Sequence, residues 1–104
     1  MSAYDNESTA RLYRAIADIR TPEECASFFE DLCTIKEIQD MAQRLDTAVL
    51  LDQGLSYQKI TEKVGVSTAT ISRVSRCLSY GANGYRTVLD RMSKDEKTKE
   101  NDDK

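Results

Sequence analysis

Apolar residues recur every three or four positions along most of this chain, and this spacing decides the fold class. Leu12, Ile16 and Ile19 form one such stripe, and Cys25, Phe28, Phe29 and Leu32 form another. Spacing of this kind places apolar side chains on one side of an α-helix. The sequence has only 4 glycines and 1 proline, too few for the frequent turns of a β-sandwich or barrel. We therefore predict an all-α fold.

Helix-capping patterns mark where the helices begin. Thr21-Pro22-Glu23-Glu24 and Thr34-Ile35-Lys36-Glu37 each match a capping box, in which a threonine caps the helix and a glutamate follows three residues later. Together with the apolar stripes, which predict a first helix from about 8 to 19, they predict a second helix ending near Cys33 and a long central helix that stops at Gly54. Ser56 and Ser67 predict two short helices around a turn at Gly65.

Several classes of site are excluded by composition. The chain has no histidine, which removes the usual neutral-pH general base and the commonest zinc ligand. Cys25, Cys33 and Cys77 are odd in number and have no CxxC spacing, which argues against a disulfide framework or a metal site. We expect no catalytic residue, no metal and no membrane span. Free thiols and the lack of a signal-peptide pattern favour a soluble, cytoplasmic protein.

The charge is distributed unevenly along the chain. The net charge is −3, yet residues 57–92 contain six basic and two acidic side chains, whereas residues 1–35 contain three basic and seven acidic ones. A basic region confined to one third of an acidic protein is typical of a surface that binds a polyanion.

The basic region also carries a helix-turn-helix pattern, YQKITEKVGVSTATISRVSR at 57–76. Gly65 allows the left-handed turn that such a motif needs. The apolar residues are predicted to fill the angle between the two helices: Ile60, Val64, Val66, Ile71 and Val74. An exposed second helix that begins with small polar residues and carries arginines suits the major groove of double-stranded DNA.

The predicted DNA-binding residues fall into three groups. We expect Thr68, Ala69, Thr70 and Ser72 to address bases. Arg73 and Arg76 would contact bases or phosphates. The backbone would be held by Lys59, Lys63 and Ser67, with Gln58 on the same surface. Two alternatives stay open: an ordinary helical hairpin with a glycine turn, and a protein-interaction module that binds another regulator or the transcription machinery without reading DNA.

The domain organisation follows from these segments. A chain of 104 residues is long enough for one domain. We expect a flexible N-terminus at 1–7, a single helical domain at 8–92 and a disordered charged tail at 93–104. Within the domain, 8–54 would hold the dimerisation helices, 56–80 the helix-turn-helix and 84–92 a C-terminal helix.

The segments RLDTAVLLDQGLSYQKI and GVSTATISR make the stretch from Glu37 to Met92 resemble the Trp repressor family, and in particular its YerC/YecD branch of small bacterial proteins. The resemblance implies an all-helical, intertwined homodimer with one helix-turn-helix in each subunit. It also implies a DNA-binding regulator of transcription, most often a repressor, with a palindromic operator.

The resemblance further implies a small-molecule corepressor held between two arginines, which match Arg44 and Arg73 here. The position after the second arginine is a glycine in the repressor and Val74 in this chain. A branched side chain there would intrude on an indole ring, so tryptophan is not expected as the corepressor. Gln58 and Thr61 stand where the repressor has basic, operator-contacting residues, which implies a different operator.

Overall fold

The computed structural model describes residues 6–102, with side chains as far as Asp95. This part of the chain is entirely helical and contains no strand, which confirms the all-α prediction. The helices are α1 (Glu7–Ala17), α2 (Pro22–Leu32), α3 (Ile35–Asp52), α4 (Tyr57–Val64), α5 (Thr68–Tyr80) and α6 (Gly84–Asp102). The chain divides into two compact units, one reaching Ile38 and the other starting at Gln39. We call them the N-terminal unit and the C-terminal unit.

Caps define the helices of the N-terminal unit. Asn6 caps α1, since its side chain accepts from the Thr9 N–H at 3.0 Å and its own N–H donates to the Thr9 hydroxyl at 2.9 Å. Part of the segment expected to be flexible, 1–7, therefore belongs to a helix start, while residues 1–5 lie outside the described residues. Thr21 caps α2 as predicted, with Pro22 in its first turn and the Glu24 N–H 3.1 Å from the Thr21 hydroxyl.

The side chains of the N-terminal unit remain accessible. No residue from Asn6 to Ile38 is buried, although α1 and α2 each carry the predicted apolar stripe. Phe28 and Phe29 contact each other edge to face, with ring centroids 6.1 Å apart. Exposed apolar side chains include Leu32 and Ile35, which are 51% and 76% exposed.

The long helix α3 has a defined start and a defined end. Thr34 and Glu37 form the predicted capping box: the Thr34 N–H donates to the Glu37 carboxylate at 2.8 Å, and the Glu37 N–H donates to the Thr34 hydroxyl at 3.1 Å. At the other end Gly54 adopts a left-handed conformation with φ 87°. The Leu55 N–H then reaches back to the Leu50 carbonyl at 3.1 Å, which satisfies a carbonyl that the ending helix leaves unpaired.

Two clusters form the core of the C-terminal unit. In the first, Ile60, Val66 and Ile71 are buried and pack with Leu50, Leu51, Leu55 and Val64. In the second, Ala48, Val74 and Leu89 are buried and pack with Leu45, Val49, Leu51, Leu78 and Tyr85. Leu51 borders both clusters, so α3 connects the α4–α5 pair with α6.

The last helix is longer than the sequence analysis expects. It reaches Asp102, whereas the sequence predicts helix only to Met92 and disorder from residue 93; residues 103 and 104 lie outside the described part. The segment after Gly84 contains no further glycine or proline, the residues that most strongly disfavour helix, so the helix can continue without an apolar stripe. Arg86 ties α6 to the end of α3 through an ion pair with Asp52 at 2.7 Å.

Candidate nucleic-acid interface and adjacent cleft

The turn between α4 and α5 has the geometry that the sequence predicts. Gly65 ends α4 in a left-handed conformation, φ 81° and ψ 24°, and its N–H donates to the Thr61 carbonyl at 2.9 Å. Ser67 then caps α5 by accepting from the Thr70 N–H at 3.2 Å, and Ser56 caps α4 by accepting from the Lys59 N–H at 3.2 Å. Ser56 and Gly65 therefore bound α4, and Ser67 defines the start of α5.

Buried side chains on the inner side of α5 pack into two separate clusters. Ile71 is fully buried against Ile60 and Val66, which attaches the start of α5 to α4 and the turn. Val74, 2% exposed, packs instead with Ala48 of α3 and Leu89 of α6. The sequence predicts Val74 between α4 and α5, but in the structure it belongs to the second cluster, because it lies almost one turn beyond Ile71. With its inner side fixed, α5 presents the opposite side to solvent.

Most of the predicted DNA-binding residues are exposed. We define the α5 outer face as Thr68, Ala69, Ser72, Arg73 and Arg76, all of which are exposed. The other exposed members of the predicted set are Gln58, Lys59, Lys63 and Ser67.

Thr70 differs from the rest of the predicted set. It is half-buried, and its hydroxyl accepts from the Ser67 hydroxyl at 3.2 Å. The sequence analysis grouped it with base-addressing residues that face water. Its position on the inner side of α5, four residues before the buried Val74, explains the difference.

The positive charges of α4 and α5 are not neutralised by neighbouring carboxylates. Within residues 6–95, Lys59, Lys63, Arg73 and Arg76 form no ion pair. The ion pairs of the C-terminal unit instead join Arg86 to Asp52 and, at 3.4 Å, to Asp90. Exposed cations without protein partners can interact with phosphates, which supply much of the affinity of proteins for nucleic acids.

A polar cleft of about 420 Å³ lies beside the α5 outer face. Arg44 of α3 and Arg73 of α5 both line it, so the structure brings together the two arginines that the sequence analysis paired. Val74 also lines the cleft, although its side chain is nearly buried. The remaining lining residues are Asp40, Gln43, Gly65, Val66, Ser67, Thr70, Cys77 and Tyr85.

Burial and the charged residues of this cleft change the pKa of Tyr85. Burial raises the pKa of its hydroxyl above the usual value of 10.0, and the nearby Cys77 raises it further, while the charges of Arg44 and Arg73 act in the opposite direction. The hydroxyl is therefore neutral at physiological pH and can both donate and accept a hydrogen bond.

Sequence reasoning assigned no site role to Asp40, Gln43 or Tyr85. For Asp40 a signal existed, because Asp40 and Arg44 are four residues apart and so share one side of α3. For Tyr85 no local signal existed, because it reaches the cleft only through the packing of α6.

Other site chemistries find little support in the described residues. Within that part of the chain no three histidine, cysteine or acidic residues cluster as metal ligands would. Cys25 and Cys33 are half-buried free thiols, and Cys77 is an exposed one. Among the described helices none combines the length and the apolar character that crossing a membrane requires.

Comparison with known proteins identifies the family. Residues 7–93 match the family model described as Trp repressor protein. The uncharacterized protein YerC of Bacillus subtilis (strain 168) is 51% identical over 86 residues, which cover 83% of each chain. A candidate Trp repressor from Staphylococcus aureus, known from its crystal structure, superposes with a TM-score of 0.82 at 45% identity, covering 86% of this chain and 89% of that one.

A TrpR-like protein from Eubacterium eligens ATCC 27750 has a similar structure, with a TM-score of 0.82 and 43% identity over 86% of this chain and 92% of its own. These matches cover most of the helical part of the molecule. The chain therefore belongs to the Trp repressor family, a family of regulators rather than of enzymes.

Proposed function

We propose that the protein is a homodimeric, sequence-specific DNA-binding regulator of transcription that acts as a repressor, and that α4, Gly65 and α5 form its helix-turn-helix. The observation that carries the proposal is the α5 outer face: small polar side chains followed by arginines, exposed on a helix that two buried clusters hold in place. Membership of the Trp repressor family supports the same function.

The proposed contacts follow from position and chemistry. Thr68, Ala69 and Ser72 meet base edges, because the first turns of a recognition helix lie deepest in the major groove. Lys59 and Lys63 on α4 contact phosphates, which fixes the orientation of the protein without selecting a sequence. Gln58, Ser67, Arg73 and Arg76 complete the interface. Thr70 acts indirectly, through its contact with the Ser67 hydroxyl.

The proposal of a homodimer rests on the N-terminal unit. Its apolar stripes are not covered within the unit, as the exposed Tyr13, Leu32 and Ile35 illustrate. Burying such side chains yields roughly 1.5–3 kcal/mol each, so a second copy that covers them stabilises both subunits. A two-fold dimer would bind a palindromic operator with half-sites about one helical turn apart.

The cleft offers a site for a small-molecule effector. Arg44 and Arg73 would hold an anionic group between them. Val74 stands where the repressor has a glycine and lines the same cleft, and we propose that the branched residue disfavours a ligand as wide as an indole ring. We therefore propose an effector other than tryptophan, if repression requires one.

The experiment that tests the proposal is selection of bound duplexes from a random DNA pool with the purified protein. An enriched palindrome is expected. Lys63→Ala should then weaken binding to all sequences alike and lower the salt slope by about 1 unit. Lys94→Ala, an exposed lysine on α6, is the matched control and should leave DNA binding unchanged.

Retention of no duplex at low salt would contradict the proposal. In that event the interaction-module alternative can be tested directly, by measuring salt-sensitive binding to purified RNA polymerase subunits without DNA.

A further inference from the structure

The first two turns of α5 expose only short side chains toward the side that faces away from the cleft. Thr68, Ala69 and Ser72 are all exposed there. Thr70 is half-buried with its hydroxyl bonded to Ser67, and Arg73 lines the cleft beside Arg44. On the side away from the cleft, where Thr68, Ala69 and Ser72 lie, these two turns therefore offer no amide or guanidinium group for the paired hydrogen bonds by which proteins usually distinguish adenine or guanine.

On the side of α5 that faces away from the cleft, the next long side chain is Arg76. It follows Thr68 by eight residues, which corresponds to about 12 Å along a helix axis. The major groove is itself about 12 Å wide. If α5 enters the groove with its N-terminal end first, so that Thr68 and Ala69 touch base edges, Arg76 lies at the side of the groove, close to the phosphates. Its exposed position and lack of an ion pair partner within residues 6–95 suit such a contact.

Short side chains can still select a base through its methyl group. Thymine alone presents a C5 methyl in the major groove, and the methyl groups of alanine and threonine are its usual apolar partners. Short side chains also let the helix approach the bases closely, which this contact requires. Hydroxyl groups such as that of Ser72 accept or donate to several bases and therefore discriminate weakly.

We propose that this protein reads its operator through thymine methyl groups, which Thr68 and Ala69 contact, and that Arg76 binds phosphate rather than a base. The inference rests on the proposed function and specifies the chemistry by which the DNA is recognised. It predicts thymines at fixed positions in each half-site and no strict requirement for guanine beneath the first turn of α5.

The test replaces each thymine of the selected operator, one at a time, by 2′-deoxyuridine. This change removes only the methyl group and preserves base pairing. Affinity should fall about three- to fivefold at one or two positions in each half-site and stay unchanged elsewhere. Fluorescence anisotropy with a labelled duplex measures the ratio.

Matched protein variants show which side chain contacts each thymine methyl group. Thr68→Ser removes one methyl group and keeps the hydroxyl. Because Thr68 is exposed, the loss of this methyl group should not affect folding. It should lower affinity for the thymine operator and abolish the loss caused by uracil at one position. Ala69→Gly should do the same at a neighbouring position. Ser72→Ala is the control and should retain full sensitivity to uracil.

Two results would overturn the inference while leaving the proposed function intact. One is an operator indifferent to uracil but weakened by 7-deazaguanine, which lacks the N7 acceptor and would reveal guanine readout. The other is sensitivity to uracil that persists unchanged in both Thr68→Ser and Ala69→Gly. Failure to enrich any sequence would instead overturn the proposed function itself.

Discussion

Residues 6–38 and residues 39–95 are both helical, yet they differ in what they bury. The first region has well-formed caps at Asn6, Thr21 and Thr34 but no buried side chain. The second has two clusters of buried apolar residues joined at α3. Caps contribute about 1 kcal/mol each, which is small beside the cost of ordering the chain.

This difference indicates how stability and function are divided. The C-terminal unit supports α5 from within the same subunit, so the proposed DNA-binding face does not need a partner to hold its shape. The helices of the N-terminal unit are defined by caps between nearby residues. Because none of its described side chains is buried within the subunit, packing that stabilises this unit must come from a further surface. In the proposed dimer that packing comes from the second copy, so dimerisation and the folding of the first region would be linked.

The largest effect is expected from a cavity in the C-terminal unit. Ile71→Ala removes a fully buried side chain between α4 and α5 and should lower the free energy of unfolding by about 2–5 kcal/mol. Chemical denaturation at fixed protein concentration measures the change. Val88→Ala, on a residue 47% exposed in the same unit, should cost far less. Equal losses from both variants would mean that the cluster around Ile71 does not support this unit.

A charge in the N-terminal unit should act on assembly instead. Leu32→Asp introduces a carboxylate at an apolar position that is 51% exposed in one chain and proposed to be covered in the dimer. Dimer affinity should fall about 10- to 100-fold, roughly 1.4–2.8 kcal/mol, because the carboxylate would lose its hydration on association. Sedimentation equilibrium measures the dissociation constant.

The matched control is Asp31→Asn, on the neighbouring exposed residue of α2, which should leave the dissociation constant nearly unchanged. Circular dichroism should show that Leu32→Asp keeps most of the helix content of the wild type. An unchanged dissociation constant for Leu32→Asp would mean that Leu32 does not lie in the dimer interface.

The sequence predicts features that depend on residues close together in the chain better than features that depend on distant residues. The caps at Thr21, Thr34, Ser56 and Ser67 each depend on residues three positions apart, so the helix starts were predictable and are confirmed. The length of α6 was not, because a charged segment without apolar residues has no packing signal that separates a solvated helix from coil.

The sequence predicted part of the candidate site as well. Exposure of Thr68, Ser72 and Arg76 follows from the helical period around the buried Ile71. The partial burial of Thr70 and the place of Tyr85 in the cleft depend on how far α5 is rotated and where α6 packs. The place of Tyr85 in particular is not encoded by spacing within one helix.

A moderate effect is expected at the turn of the C-terminal unit. An added Cβ at Gly65 would meet no atom within 4 Å, so the cost of Gly65→Ala arises from its φ of +81° alone. We expect a loss of about 1–2 kcal/mol in unfolding free energy, measured by chemical denaturation. Gly84→Ala, equally free of neighbours but without a positive φ, should be neutral or slightly stabilising. A neutral Gly65→Ala would show that the turn tolerates another conformation.

The smallest effect is expected from pH at the start of α3, in the N-terminal unit. The Glu37 carboxylate accepts from the Thr34 N–H at 2.8 Å, and hydrogen bonds from the Thr34 backbone and side chain lower its pKa below the usual 4.5. A lowered pKa in the folded state means that this cap contributes its full stability above the unfolded value and loses it as the pH falls through the folded value. Glu37→Gln should therefore be less stable than the wild type at pH 6, and the difference should narrow below about pH 4. Thermal unfolding followed by circular dichroism at both pH values measures this, and a difference that is constant with pH would show that the charge on Glu37 is not what caps α3.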